Sequence, residues 1–251
     1  MSTRQLNALW TRIQFRPPWW AILLNPFYIV RRGLYVQIRR HAPQVSGRVL
    51  DFGAGSAPYR SLFRCTEYVT LDLPSSGHPP EHKVAELYYD GHSLPFAADH
   101  FDFVLCSEVL EHVFNLEQVL AELHRVLKPS GQMLLTVPFV WGEHESPYDY
   151  ARYTTFALKD LLGRSGFEVV SLVKTTRFIE TLTQMGVVYL SERTVFRRVK
   201  LLKLIASPLL FAPLQLCGIL LGWILPRDAT FYLNAVVLVR KPANPPSEPA
   251  A

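Results

Sequence analysis

Between residues 48 and 173 short apolar runs alternate with stretches whose apolar positions recur at helical spacing. Arg48 to Phe52 (RVLDF) is an apolar run halted by Gly53-Ala54-Gly55, which predicts a strand and then a tight turn. Glu67 to Leu73 (EYVTLDL) predicts a second strand, the stretch before Asp90 a weaker third, and Phe101 to Cys106 (FDFVLC) a fourth. Asn115 then offers an N-cap with Glu117 in the first turn. Leu116, Val119, Leu120, Leu123 and Leu127 follow on one helical face until Pro129-Ser130-Gly131 stops the helix. Met133 to Phe139 predicts a fifth strand. A helix capped by Thr154 or Thr155 runs to near Gly163, Phe167 to Val173 makes a sixth strand, and Phe231 to Arg240 a last one. Strands separated by helices mean βαβ units, hence an α/β fold with a parallel sheet covered on both faces.

The flanks read differently. Trp19 to Val30 and Leu204 to Pro226 are apolar, and the second holds 23 residues without a charge. Charge follows the same division. Residues 1–48 carry eight arginines (Arg4, Arg12, Arg16, Arg31, Arg32, Arg39, Arg40, Arg48) and no acid. Residues 174–227 carry eight basic residues against Glu180 and Glu192, while the remainder holds ten basic and nineteen acidic residues. An acidic body between basic, apolar flanks points to an anionic surface as partner, either nucleic acid or membrane headgroups. The expected organisation is a basic aromatic helical segment (1–47), a main domain (48–176 with 229–241), an apolar and basic helical insert (177–228) and a frayed tail (242–251). Cys65, Cys106 and Cys217 are too few and too scattered for a disulfide framework or a zinc site. The first apolar stretch comes late, is broken by Asn25-Pro26, and is followed by no small-residue cleavage site, so no secretory signal is expected. These features predict a cytoplasmic protein, peripheral on the inner membrane face if the flanks bind lipid.

The glycine turn after the first strand lets the backbone bend sharply and lets a ligand approach it. A dinucleotide fingerprint would want a third glycine at position 58, which is Pro58. Asp51 would also repel a pyrophosphate, whereas it suits a cationic ligand. Asp72 lies 21 residues after Asp51, Asp90 follows 18 later beside Gly91, and Glu108 another 18 later. Each falls at or just beyond a predicted strand end, where open α/β sheets bind ligands. A carboxylate at Asp72 can accept bonds from both hydroxyls of a ribose.

These segments together (VLDFGAG at 49–55, TLDL at 70–73, LPFAADHFDFVLCSEVLEHV at 94–113, HRVLKPSGQMLLTVPF at 124–139, RSGFEVV at 164–170) resemble class I S-adenosylmethionine-dependent methyltransferases of the type 11 branch. The resemblance covers about half the chain. It implies a Rossmann-like seven-stranded sheet of order 3-2-1-4-5-7-6 with the last strand antiparallel, and the apolar insert between strands six and seven. It also implies S-adenosyl-L-methionine as cofactor. Asp51, Gly53 and Gly55 would pack on its methionine part, Asp72 would bind ribose, and Asp90 with Gly91 would lie by the adenine. Ser107 and Glu108 would border the methyl-transfer centre.

Methyl transfer needs alignment and exclusion of water, and a hydroxyl acceptor also needs a base within reach. Residues 141–154 (WGEHESPYDYARYT) hold the densest set of polar groups beyond a strand end. His144 is the candidate base, since an imidazole titrates near neutral pH. Tyr148 and Arg152 are candidates to hold a polar or anionic acceptor. His112 reads as structural. His78 and His82 sit in a Pro-rich loop without further ligands, so no metal is expected. Relatives encoded among glycan-assembly enzymes carry similar stretches, which hints at a sugar or sugar-lipid acceptor.

Length alone lets Leu204 to Pro226 cross a bilayer. With strands six and seven adjacent, however, both ends of the insert lie on one side, and two crossings need about 40 residues. Pro208 and Pro213 should also break the run early. An interfacial helix, a lid on the domain and an oligomer contact are the three readings left. The cations Arg193, Arg197, Arg198, Lys200 and Lys203, with Trp10, Phe15, Trp19 and Trp20 near the start, favour a membrane surface. The abundance of tryptophan and leucine beside the cations argues against nucleic acid. The reading is a methyltransferase at a membrane surface acting on a small-molecule or lipid-linked acceptor, such as a lipid-linked sugar or a quinone precursor, by O- rather than C-methylation. The alternatives are a soluble, homo-oligomeric small-molecule enzyme and a non-catalytic cofactor-binding subunit.

Overall fold

The computed structural model describes residues 3–74 and 84–243. His78, His82 and most of the expected tail (244–251) lie outside the described residues. The chain divides into two units, one comprising His41–Val173 with the chain from Ala235, the other the chain up to Arg40 with Lys174–Asn234.

In the first unit the predicted strands form one sheet: β1 Arg48–Phe52, β2 Glu67–Asp72, β3 Leu87–Tyr88, β4 Phe101–Ser107, β5 Leu127–Pro138, β6 Glu168–Lys174 and β7 Asn234–Arg240. Their order is β3-β2-β1-β4-β5-β7-β6, as expected. The pairs among β1 to β5 are parallel. Strand β7 runs against β5, because Ser130 N–H donates to Lys241 O (2.9 Å) while Lys241 N–H donates to Gly131 O (2.9 Å). Four of the five residues of β1, five of the six of β2 and the first six of the seven of β7 are buried, as continuous apolar runs between two helical layers must be.

Two helices set the site-bearing loops. Leu116–Val126 buries Val119, Leu120, Leu123 and Val126. Asn115 occupies its N-cap position without capping it; the Asn115 amide instead donates to Gly91 O (3.0 Å) and to Gln118 Oε1 (2.9 Å). The expected cap is thus a tie between this helix and the turn after Asp90. The helix also stops before the Pro-Ser-Gly signal. Leu127 already pairs with Phe101, and the proline turn forms an irregularity inside β5, between the Phe101 and Phe103 pairings. Helix Thr155–Arg164 is capped as predicted, with Thr154 Oγ1 accepting from Ala157 N–H (3.2 Å).

The second unit is helical, and buried amides tie its two chain segments together. Gln184, fully buried, donates to Pro26 O (2.7 Å) and accepts from Val30 N–H (3.3 Å), an orphan donor in the first turn of helix Tyr28–His41. Gln215, also fully buried, donates to Asn25 O (3.2 Å). Helices Phe178–Arg193 and Ala212–Ile224 meet where Gly218 faces Thr183 and Gly222 faces Glu180.

Pro208 and Pro213 do not break the apolar run, contrary to the sequence expectation. Lys200–Ala206 continues through a π-helical stretch, Ser207–Phe211, into Ala212–Ile224, giving 25 helical residues. The wider π turn accommodates a residue that has no N–H to donate. Only 33% of the most apolar stretch is buried.

Candidate active site

The parallel register brings the ends of four strands to one edge. Phe52 pairs with both Leu71 and Cys106, Asp72 with Tyr88, and Ser107 with Thr136. Every acidic candidate follows from this alignment, because each sits within two residues of a strand's carboxyl end.

The glycine loop is shaped for close approach. Gly53 and Gly55 both have positive φ (69° and 52°). A Cβ on Gly53 would come within 2.5 Å of Val109 Cγ2, so the loop folds against the segment after β4 only with glycine there. Beside Gly55 a Cβ would meet nothing within 4 Å, which leaves an open backbone face. The Gly53 and Ala54 N–H groups donate to Leu71 O (2.9 and 3.1 Å) and pin the loop to β2.

Asp72 Oδ2 accepts from Gly55 N–H (3.0 Å) and Oδ1 from Leu73 N–H (2.7 Å). Asp51 is only 4% exposed and accepts from Tyr68 Oη at 2.7 Å. Burial, opposed by the Tyr68 bond and reinforced by Asp72, raises its carboxyl to about 7. A positive ligand would restore its charge. Asp90 is exposed, and its Oδ1 accepts from His92 and Ser93 N–H (2.8 and 2.9 Å); those bonds lower its pKa and fix the turn that includes Gly91.

After β4 the chain turns through Glu108 at φ 56°. Glu108 Oε1 accepts from Thr136 Oγ1 (2.7 Å), and Thr136 Oγ1 lies 3.1 Å from both Ser107 Oγ and Glu108 N. Thr136, on the neighbouring strand, holds this segment; nothing in its local sequence marks it.

In the loop 141–154, Arg152 forms a fork with Asp149 (2.6 and 2.7 Å) and donates to Ala151 O (2.7 Å). The arginine holds the Asp149 carboxyl far below its usual range. Asp149 Oδ2 also accepts from His144 N–H (3.0 Å) and lies 3.2 Å from Nδ1 of that ring. Arg152 and His144 are therefore brought together by Asp149. Burial, with His112 alongside, lowers the His144 pKa. Tyr148 is 39% exposed and touches this group through its backbone carbonyl, 2.8 Å from His112 Nδ1. The rings of His112 and His144 meet edge to face, centroids 4.7 Å apart. His112, read from sequence as structural, thus joins the candidate base, and so does Glu111 beneath it.

A glycine loop, a buried aspartate and a backbone-anchored carboxylate thus gather at the carboxyl ends of parallel strands, where open α/β sheets bind ligands. Residues 31–172 match the family described as a methyltransferase domain, and the chain belongs to it, among the class I S-adenosylmethionine-dependent methyltransferases.

Among relatives, an uncharacterised protein of Methanocaldococcus jannaschii is 26% identical over 141 residues, 56% of this chain and 68% of that protein. A ubiquinone/menaquinone biosynthesis C-methyltransferase of Dinoroseobacter shibae is 33% identical over 108 residues, 38% of this chain and 43% of that one. The match thus spans under half of the second relative's length. Among solved structures, Haemonchus contortus phosphoethanolamine N-methyltransferase 2, bound to phosphomonomethylethanolamine and S-adenosylhomocysteine, has a TM-score of 0.52 at 17% identity, covering 84% of this chain and 52% of that one. The cyclase SpnF has a TM-score of 0.53 at 15% identity, covering 86% and 82%. These two show the fold, and a fold shared with a cyclase does not by itself decide the reaction.

Proposed function

We propose that this protein transfers a methyl group from S-adenosylmethionine to an amphipathic acceptor, a lipid-linked sugar or an isoprenoid quinone precursor, while lying on an anionic membrane surface. The bound cofactor supplies an electrophilic methyl on a sulfonium. In this reading Gly53 and Gly55 leave its methionine part room, Asp51 meets its positive end, Asp72 takes the ribose hydroxyls and Asp90 with Gly91 edges the adenine. Ser107 and Glu108 border the reacting centre, and His144, Tyr148 and Arg152 belong to the acceptor side.

One observation carries the membrane half of the proposal: the apolar helix of residues 200–224 is largely uncovered. Leu201, Leu204, Leu209, Leu216, Leu220, Trp223 and Ile224 are each more than half exposed, Leu209 at 74% and Trp223 at 78%. Contiguous apolar surface of this kind marks an interaction site, and the fringe of Lys200, Lys203, Arg197 and Arg198 fits anionic headgroups. Trp19, 77% exposed, belongs to the same unit. The same face could instead pair two copies of the chain. Sedimentation of the purified protein with anionic and with neutral vesicles, beside its mass in detergent-free buffer, separates the two. Binding to anionic vesicles by a monomer is expected; a detergent-free dimer that ignores vesicles would replace this reading with the soluble one.

A further inference from the structure

The loop after β4 and the loop after β5 bring Glu111 and His112, to which the reading above gives no task, together with His144, the candidate base on the acceptor side. One donor atom each from Glu111, His112 and His144 lies within 4.8 Å of the others. Glu111 is fully buried, yet neither of its carboxyl oxygens has a hydrogen-bond partner among the described residues. A buried carboxylate without partners costs several kcal/mol, so native proteins fill such positions with a proton, an ion or a ligand. His112 Nε2 is 3.8 Å from Glu111 Oε1, too far for a hydrogen bond.

His112 is set in the tautomer a ligand requires. Its Nδ1 lies 2.8 Å from Tyr148 O, a carbonyl that can only accept, so Nδ1 carries the proton. The neutral ring therefore presents a lone pair at Nε2, which is buried and also unpartnered. An imidazole oriented through one nitrogen by a backbone carbonyl, with the other nitrogen bare, is the usual outer arrangement of metal-binding histidines. The His144 backbone is held by its N–H bond to Asp149 Oδ2 (3.0 Å), and its ring Nδ1 lies 3.2 Å from the same oxygen. Glu145 Oε1 is 3.9 Å from His112 Nε2.

We propose that Glu111, His112 and His144 bind one divalent transition-metal ion. Two imidazoles and one carboxylate suit Zn2+, Mn2+ or Co2+ better than Mg2+ or Ca2+, which prefer all-oxygen shells. Three protein ligands leave coordination positions open, the pattern of sites that take a substrate atom. The role of the ion in the reaction rests on the methyltransferase reading; its binding does not. An acceptor hydroxyl on the ion would lose its proton to water more readily, and its oxygen would then form the O–CH3 bond as the S–CH3 bond breaks, leaving a neutral thioether.

The test uses the untagged full-length chain. Calorimetric titration with Zn2+, Mn2+ and Co2+, and the visible absorption of the Co2+ form, should show one equivalent bound with nitrogen ligation. Glu111→Gln and His144→Asn should each weaken metal binding at least tenfold while S-adenosylmethionine affinity stays within about threefold. Because His144 is partly exposed, its variant folds even if the buried Glu111 change does not. A wild-type chain that binds S-adenosylmethionine but no metal, or variants that bind metal as tightly as wild type, would overturn the site. Metal binding without any S-adenosylmethionine binding would leave the site standing and remove the methyltransferase reading.

Discussion

Asp51 is a residue whose charge the ligand-free fold disfavours. Its pKa is raised from 3.8 to about 7, so the neutral form is the stable one. The stability this provides is complete below about pH 4 and is lost as pH rises through 7. Asp51→Asn keeps an acceptor for Tyr68 and removes the titration. Thermal unfolding without cofactor should show the variant gaining on wild type between pH 5 and 8, by a few kcal/mol, about what a shift of this size is worth. Parallel stability curves would rule this out. In wild type S-adenosylmethionine should bind more tightly as pH rises through 7, and the variant should bind it at least tenfold more weakly at pH 8 with no pH dependence. Gly53→Ala adds a second test at this scale. It combines a positive φ with a collision against Val109, and should cost about 1–3 kcal/mol of stability and most of the cofactor affinity, read by denaturant melts and calorimetry. Position 53 was readable from sequence, because a glycine after a strand has few other reasons to be there. The partner of Asp51 was not. Tyr68 is 17 residues away, and the register that pairs it with Val49 sets it diagonally across from Asp51 on one face of the sheet.

At the scale of elements, periodicity located every strand, and errors arose where a local signal had a distant competitor. Asn115 has the right residue type for a cap, but the Gly91 carbonyl claims its amide. Pro208 and Pro213 carry a helix-breaking signal, but a π-helical stretch and burial of Phe211 and Ala212 keep the helix going. The pairing of helices Phe178–Arg193 and Ala212–Ile224 yields a further expectation. A Cβ at Gly218 would lie 2.6 Å from Thr183 Cβ, and one at Gly222 would lie 2.8 Å from Glu180 Oε1. Gly218→Leu should therefore destabilise the helical unit by about 1–3 kcal/mol or more, seen as an early transition in urea. Gln184→Leu should cost a similar amount, since it strands the Pro26 carbonyl and the Val30 N–H.

For the whole molecule, the chain divides into two units. The first 40 residues and residues 174–234, far apart in sequence, share one helical unit. That unit holds the exposed tryptophans, the apolar helix and the basic fringe. Leu209→Glu with Trp223→Ser should reduce partitioning onto anionic vesicles at least tenfold, because burying one such side chain is worth about 1.5–3 kcal/mol and about 1.4 is tenfold. Cofactor affinity should stay unchanged, which calorimetry on the same double variant checks. Raised salt should weaken the attraction in wild type as it screens the arginines and lysines.

What the sequence determined by itself was everything carried by short range: alternation of strand and helix, the glycine turn, the carboxylates at strand ends and the ordered motifs of a cofactor half. These depend on neighbours within a few residues, and local chemistry dictates them. Tertiary structure alone decided which distant side chains share a space. The threonine behind Glu108 comes from the next strand, and His112 meets His144 across 32 positions because two loops leave the same sheet edge. The buried amides that join the flanks were equally invisible, since a glutamine inside a helix looks the same in sequence whether it faces water or a carbonyl 158 residues away.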